Sequence, residues 1–381
     1  MPGTREVALD DTRRPEISSV PPNFGSPRCP YVVESRHFRE ARWHKDGTVN
    51  AELIEQAQGG DAAAFERLVG PYRNEIQVHC YRFLGSLADA EDALQETLTA
   101  AWQALPAFEG RSSVRTWLYR IATNRCLNLL RSARRRPPAE VRVEVEPPEP
   151  TRLSEIVWLE PYPDVLLSGV PDSAASPEER VEASETISLA FVTALQLLPP
   201  MQRGVLILRD VLNFSAREVS EMLGTTEQSV SSSLKRARAT IAEELPTPDQ
   251  APPLPHSAAE RELLQQFVRA IEECDVDALV ALMTEDVWLR MPPVPLEYQG
   301  RELTGRFFAT IAFRQNRRYR LVPTRANGQP AFGVYLRDRV TGLAHAHGLF
   351  VVTLAGDHVS AITRFDNSVI QRFGLPRNLT Q

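Results

Sequence analysis

Charge changes sign abruptly at Gly110, and that boundary constrains the chain more than any other feature. Phe83–Gly110 contains no Lys or Arg, and its charges are Asp89, Glu91, Asp92, Glu96 and Glu109. Arg111–Arg136 contains no Asp or Glu and carries eight arginines, at 111, 115, 120, 125, 131, 134, 135 and 136. Both blocks have helical spacing. In the first, Ala90, Leu94, Leu98, Ala101 and Leu105 recur every three or four residues, the period of an amphipathic helix. In the second, a helix from Ser113 places Val114, Leu118, Ile121, Ala122 and Leu129 on one side. Leu105–Ser112, broken by Pro106 and Gly110, is the loop between them. One helical unit therefore presents an acidic surface beside an arginine surface, which suits a basic protein partner on one face and phosphates on the other.

The 381 residues allow two or three domains with separate cores. A net charge of −6 argues against a general nucleic-acid coat protein, but phosphate binding needs a basic surface and not a basic protein. Cys29, Cys80, Cys126 and Cys274 are scattered with no CxxC pair, as expected of reduced cytosolic thiols and not of a disulfide or zinc framework. No apolar run approaches the roughly 20 residues that span a bilayer, and the first 30 residues hold no signal-peptide core. A cytoplasmic protein without a membrane segment is expected.

Composition divides the chain. Residues 1–48 lack periodicity and read as a disordered extension. A first helical domain is expected over 49–137. Residues 138–178 form a proline-rich linker; nine prolines fall between 137 and 178. Within it, Trp158-Leu159-Glu160-Pro161-Tyr162-Pro163 carries two large aromatics that a plain spacer does not need, so 158–163 is read as a docking patch. A second helical domain covers 179–245. After a proline-rich joint, 258–376 opens with helices at 259–273 and 276–283. Strand-like runs follow at 287–291, 318–326, 331–338, 344–354 and 359–365, an α+β pattern with a curved sheet.

Two helices carry the chemistry. From Ser113 on, Arg120, Asn124, Asn128, Arg131 and Arg135 fall on one line; Arg neutralises phosphates and Asn bonds base edges or sugars. Trp117 borders both faces and could support unstacked bases, while Arg115 and Arg125 lie near the apolar side. A solvated basic face is the plain alternative, but eight arginines with no acid among them cost self-repulsion. Further on, Ser215-Ala216-Arg217-Glu218 is a capping box that starts a short helix ending at Leu223-Gly224. Thr225-Thr226-Glu227-Gln228 caps a second helix with Val230 and Leu234 inward. Gln228, Ser229, Ser232, Ser233, Lys235, Arg236 and Arg238 are expected outward. That is the helix-turn-helix pattern, whose second helix enters the major groove.

In the last unit, His345 and His347 share one side of a strand. Asp286, Arg290, Tyr298, Asp338, His347 and Asp366 are candidate cavity-lining residues. No metal-ligand spacing or glycine-rich phosphate loop occurs, so no catalytic, cofactor or metal residues are assigned.

Asp89–Thr97, Phe108–Ser112 and Thr116–Asn124 resemble the σ2 domain of bacterial extracytoplasmic-function sigma factors. Leu197-Leu198-Pro199-Pro200-Met201-Gln202-Arg203 through Arg238 resembles their σ4 domain, and the two cover about 150 residues in the family's order. The end of the chain is similar to SnoaL-like domains of the NTF2-like class. The fold so implied is multidomain: two all-α domains, σ2 and σ4, then an α+β NTF2-like cone-shaped barrel. The resemblance implies that Asp89, Glu91, Asp92, Gln95, Glu96 and Trp102 bind RNA polymerase core through its β′ clamp helices, with the β flap as a second core contact. It implies that Phe108, Arg111, Ser112, Arg115, Trp117, Arg120, Asn124, Asn128 and Arg131 hold the melted −10 element of promoter DNA. It implies that Thr226, Gln228, Ser229, Ser232, Ser233, Lys235, Arg236 and Arg238 read the −35 duplex. The docking patch (Trp158, Leu159, Pro161, Tyr162, Pro163) resembles a linker motif of the subset whose C-terminal domain contacts σ2, σ4 or the linker and adjusts activity in cis. The linker is longer than usual for the family. Two other readings compete: a ligand-responsive helix-turn-helix regulator that does not engage polymerase, and a SnoaL-type enzyme fused to DNA-binding modules.

Overall fold

The computed structural model describes residues 47–132, 147–154, 159–167, 186–245 and 250–379. Trp158, Arg134, Arg135, Arg136 and the expectation for residues 1–46 lie outside them.

The first unit is helical: α1 Gly47–Gln58, α2 Ala62–Val69, α3 Arg73–Leu84, α4 Leu87–Ala104 and α5 Val114–Ser132. It starts at Gly47, two residues before the expected boundary. The acidic block is α4, begun by the Ser86 side chain accepting from the Asp89 amide, with Ala90, Ala93, Leu94, Leu98 and Ala101 buried. The arginine block is α5, with Val114, Leu118, Tyr119, Ala122, Cys126 and Leu127 buried. The expected apolar stripe is therefore displaced: Ile121 and Leu129 are only half-buried.

The second unit contains α6 Leu189–Leu197, α7 Pro200–Leu206, α8 Ala216–Leu223 and α9 Glu227–Glu244. Its capping box forms as read: the Ser215 hydroxyl accepts from the Glu218 amide and Glu218 accepts from the Ser215 amide. Gly224 closes α8 at φ 61°, a left-handed conformation that a residue with a Cβ adopts at a cost.

The last unit comprises α10 Ala258–Glu273, α11 Val276–Ala281, strands β2 Met283–Met291 and β3 Val294–Gln299, α12 Arg301–Phe307, then β4 Tyr319–Ala326, β5 Gln329–Arg337, β6 Ala344–Ala355, β7 His358–Phe365 and β8 Asn378–Leu379. It has the expected α+β make-up. The expected helix over 276–283 stops earlier, because Met283 already pairs with Val359 as the first residue of β2. The reading missed β3 and α12, since Pro292-Pro293 and Pro295 obscure a hairpin and Gly300 interrupts the pattern. It also missed β1, Arg152–Leu153 of the linker, which pairs antiparallel with β3. The sheet order is β1-β3-β2-β7-β6-β5-β4, with β8 on β6; β2 and β7 pair in parallel.

This sheet is apolar on both faces, and that organises the molecule. Phe332, Val334, Phe350, Val352 and Ile362 pack against α10 through Leu263 and Phe267. The alternate residues Ala331, Leu349, Val351 and Phe365 join the core of the two helical units. An unbroken run such as Leu349-Phe350-Val351-Val352 is what a strand buried on both sides requires. The α+β domain is thus packed onto the helical units, not tethered beside them.

Candidate nucleic-acid interface and the linker junction

The α4–α5 loop is held from α1: the Gln58 amide donates to the carbonyls of Leu105 at 3.1 Å and Phe108 at 2.9 Å. The Phe108 and Trp117 rings are in contact, with centroids 4.8 Å apart and planes inclined by 40°. Across Gly110, at φ 70°, Arg111 Nε donates to Glu109 Oε2 at 2.6 Å. The two residues flanking the charge switch therefore neutralise one another, both exposed.

Of the expected phosphate-facing line, Arg120, Asn124, Asn128 and Arg131 are all exposed on α5. Trp117, Arg120, Ile121, Asn124 and Arg125 line a groove of about 410 Å³ against Ala100, Gln103 and Ala104 of α4. Arg125, read as lying near the apolar side, is exposed in this groove and belongs with the line. Arg115 does not. Its guanidinium pairs with buried Glu75 at 3.0 Å and lies 4.8 Å from the Tyr119 ring centroid, so it is a packing residue of the first unit.

On the acidic helix, Asp92, Gln95 and Glu96 are exposed. Glu91 pairs with Arg372 of the α+β domain at 2.9 Å. Trp102 is half-buried and meets Phe65 edge-on at 5.1 Å, which makes part of that ring core.

On α9, Thr226, Gln228, Ser229, Ser232, Lys235 and Arg236 are exposed as expected, and so is Ser231, which the reading omitted. Two expected groove residues turn inward. Ser233 is buried; it is three residues from Val230, on the side that packs against the rest of the unit. Arg238 is bound to buried Asp210 by two hydrogen bonds of 2.8 and 2.7 Å, a bidentate geometry that spends its fork inside the protein.

The docking patch is where the three units meet. Leu159, Pro161, Tyr162 and Pro163 are buried, with Tyr162 fully enclosed. Asn327, in the β4–β5 turn, is also fully buried and makes the central contacts. Its Oδ1 accepts from the Tyr162 amide at 2.7 Å. Its Nδ2 donates to the Tyr81 hydroxyl at 2.9 Å and the Ile187 carbonyl at 2.8 Å. The linker, α3 and the approach to α6 are thus joined by one side chain, held at φ 58°, a conformation Asn tolerates better than most residues.

The α3–α4 corner receives matching charges. Glu160 accepts from the α4 amides of Leu87 at 2.8 Å and Ala88 at 3.1 Å, an anion at a helix N-terminus. Arg203 of α7 donates to the carbonyl of Phe83 near the α3 C-terminus, to Gln196 Oε1 at 2.6 Å and to the Gln196 carbonyl at 2.9 Å. Burial without a carboxylate partner holds its guanidinium down to about 10. Nearby, Asn124 Nδ2 lies 3.5 Å from the Met222 carbonyl of α8, and Tyr119 meets Phe214 edge-on at 5.7 Å. The helix-turn-helix therefore abuts the side of α5 that carries Asn124. Nothing in single-strand periodicity identifies Asn327 or Arg203; their roles come from contacts more than 100 residues apart in the chain.

The candidate cavity residues of the last unit do not converge. Tyr298 is buried with its hydroxyl donating to the Pro148 carbonyl at 3.1 Å. Asp338 accepts from Thr341 and Val340 within its own turn, and Asp366 caps the turn that follows β7. Asp286 and Arg290 line a cleft of about 1240 Å³ between the sheet, α6 and the joint after α9. His347 is held down to about 4 by burial, with Arg364 and Arg317 adding repulsion.

Comparison with known proteins agrees with this layout. The family profile Sigma-70 region 2 matches residues 68–136, and Sigma-70, region 4 matches 188–241. The chain is 42% identical over 318 residues to the ECF RNA polymerase sigma factor SigG of Mycobacterium tuberculosis, covering 81% of this chain and 83% of that one. It is 30% identical over 192 residues to the ECF RNA polymerase sigma factor SigW of Bacillus subtilis, covering 50% of this chain and 94% of that one. The crystal structure of the Mycobacterium tuberculosis extracytoplasmic function sigma factor SigJ superimposes with a TM-score of 0.54 at 21% identity, over 80% of this chain and 97% of that one, a likeness of fold. Among the described residues no helix is long and apolar enough to cross a membrane.

Proposed function

The chain belongs to the extracytoplasmic-function sigma factors of bacterial RNA polymerase, and on that premise we propose how its surfaces divide the work. The protein binds core polymerase in the cytoplasm and directs promoter-specific initiation without chemistry of its own. Asp92, Gln95 and Glu96 on α4 face the clamp of core. Phe108, Trp117, Arg120, Asn124, Arg125, Asn128 and Arg131 hold the opened −10 strand. Thr226, Gln228, Ser229, Ser231, Ser232, Lys235 and Arg236 approach the −35 duplex. Support for this division is the exposure of the polar and charged side chains among them, and the commitment of Arg115 on α5 and Arg238 on α9 to buried carboxylates, which leaves them out of it.

The α+β domain holds the factor closed in cis. The observation that carries this is the Asn327 junction, taken with the 3.5 Å approach of Asn124 to α8. Elements at −35 and −10 lie about 25 base pairs apart, roughly 85 Å at ~3.4 Å per pair. A helix-turn-helix packed on α5 cannot occupy one while α5 occupies the other, so initiation requires the units to separate. Reconstituted run-off transcription with core polymerase tests both statements. A promoter-dependent transcript is expected, with its amount altered and its start site unchanged on deletion of 257–381. Absence of any such transcript would remove the sigma reading; an unaltered amount on deletion would remove cis regulation.

A further inference from the structure

The open end of the β4–β5 ladder carries a cluster of exposed arginines. Arg318, Arg320, Arg337 and Arg377 are exposed; neighbouring Arg339 donates to the Gln315 carbonyl at 2.7 Å and is not counted with them. The Arg337 amide donates to the Arg318 carbonyl at 2.9 Å, so these two oppose each other at the mouth of the ladder. Tyr319 and Leu321 point into the domain core; strand alternation therefore sends Arg318 and Arg320 to the opposite face. Arg377 joins them because its carbonyl accepts from the Ala346 amide at 2.8 Å on neighbouring β6.

Local acids do not balance this cluster. Asp338 spends its carboxylate on its own turn, accepting from the Thr341 amide at 2.7 Å, the Val340 amide at 2.9 Å and the Thr341 hydroxyl at 3.0 Å. Glu272 accepts from the Leu321 amide at 2.9 Å and reaches only Arg320, at 3.5 Å. Among the described residues, no carboxylate lies within 4.0 Å of Arg318, Arg337 or Arg377. Like charges this close repel, and burial does not repay that cost because the guanidinium groups stand in solvent.

We propose that this edge is a third DNA-binding surface of the chain, gripping the phosphate backbone of duplex promoter DNA independently of sequence. The inference rests on the sigma-factor reading above. Cross-strand neighbours about 5.5 Å apart and same-face neighbours ~7 Å apart along a strand make a rigid row of planar donors, and arginine forks match phosphate oxygens bidentately. The arginine face exposes no aromatic anchor of the kind that dominates protein interfaces. Placement also fits. The other end of the hairpin, at Asn327, is fixed in the junction, and the eight residues of β4 carry the arginines about 26 Å beyond it at ~3.3 Å per residue.

The test compares the full chain with the triple variant Arg318→Ala, Arg337→Ala, Arg377→Ala, both assembled with core polymerase. Binding to a promoter fragment is followed by fluorescence anisotropy at several salt concentrations. Each phosphate contact contributes about 0.9 to the slope of log affinity against log salt, so the variant should lose roughly 2 to 3 from that slope. The matching triple lysine variant should keep it. An unchanged slope overturns the inference. A fall in affinity for core without DNA, at unchanged slope, also overturns it and assigns the edge to an acidic protein surface. A missing transcript from the unsubstituted chain would instead strike the sigma reading, so the two failures are separable.

Discussion

Replacing Asn327 should undock the α+β domain while leaving each helical unit folded. The side chain makes three hydrogen bonds, of 2.7, 2.9 and 2.8 Å, all within the buried junction. In Asn327→Gly, the Tyr81 hydroxyl keeps its bond to the Glu160 carbonyl at 2.7 Å, so its loss is small. The Tyr162 amide and Ile187 carbonyl are left without these partners, and a buried group so orphaned costs about 1–3 kcal/mol. The sum is about 3 kcal/mol, which raises the undocked population roughly a hundredfold, at about 1.4 kcal/mol per tenfold. Asn327→Ala should cost about 1 kcal/mol more, because a Cβ at φ 58° adds the left-handed penalty that glycine avoids. Amide hydrogen exchange reports this directly. The Leu87 and Ala88 amides, bonded to Glu160 across the same junction, should exchange about a hundredfold faster by the free energy above. Amides in the middle of α5 should not change. Urea titration should show the glycine variant to be the less damaged of the two. Exchange at Leu87 and Ala88 unchanged in both variants, with less than about 1 kcal/mol lost in urea, would refute the reasoning and leave the junction a passive contact.

Two further outcomes follow from buried charges. His79 is fully buried, its Nε2 2.9 Å from the Thr123 hydroxyl, and burial, with Arg82 and then Arg115 adding repulsion, holds it down from 6.5 to about 3. The unfolded chain therefore takes up a proton between those values and the folded chain does not, so this contribution to stability is intact above pH 6.5 and lost as pH falls toward 3. By pH 5 the loss should be about 2 kcal/mol, and His79→Gln should flatten the pH dependence of urea midpoints; an equally steep profile would count against it. Arg115→Ala should strand Glu75 and cost about 2–3 kcal/mol, largely recovered by adding Glu75→Gln. Promoter affinity at matched folded fraction should remain within twofold, whereas a DNA role for Arg115 would give a loss that Glu75→Gln cannot recover.

Much of this protein is local in origin and legible along the chain. The 3.6-residue period of α4 and α5, the capping box at Ser215, the glycine at 224 and the strand runs of the last unit depend on neighbours within a few residues, so residue order determines them. Charge segregation at Gly110 is equally local, and it places an acidic and a basic helix side by side. Tertiary structure decided which charges remain available. Arg115 and Arg238 look like their neighbours in sequence, yet each meets a buried carboxylate brought from another helix, Glu75 or Asp210. Arg125 and Ser233 exchanged expected faces because the packed side of each helix is set by what lies against it, and helical period alone leaves that rotation open. The junction is the extreme case. Tyr162 stands out along the chain as part of an aromatic patch, but Tyr81, Ile187 and Asn327 do not, and only the burial of both sheet faces brings the four together. Hydrogen-bond satisfaction in that dry site then turns an ordinary turn asparagine into the contact that joins all three units.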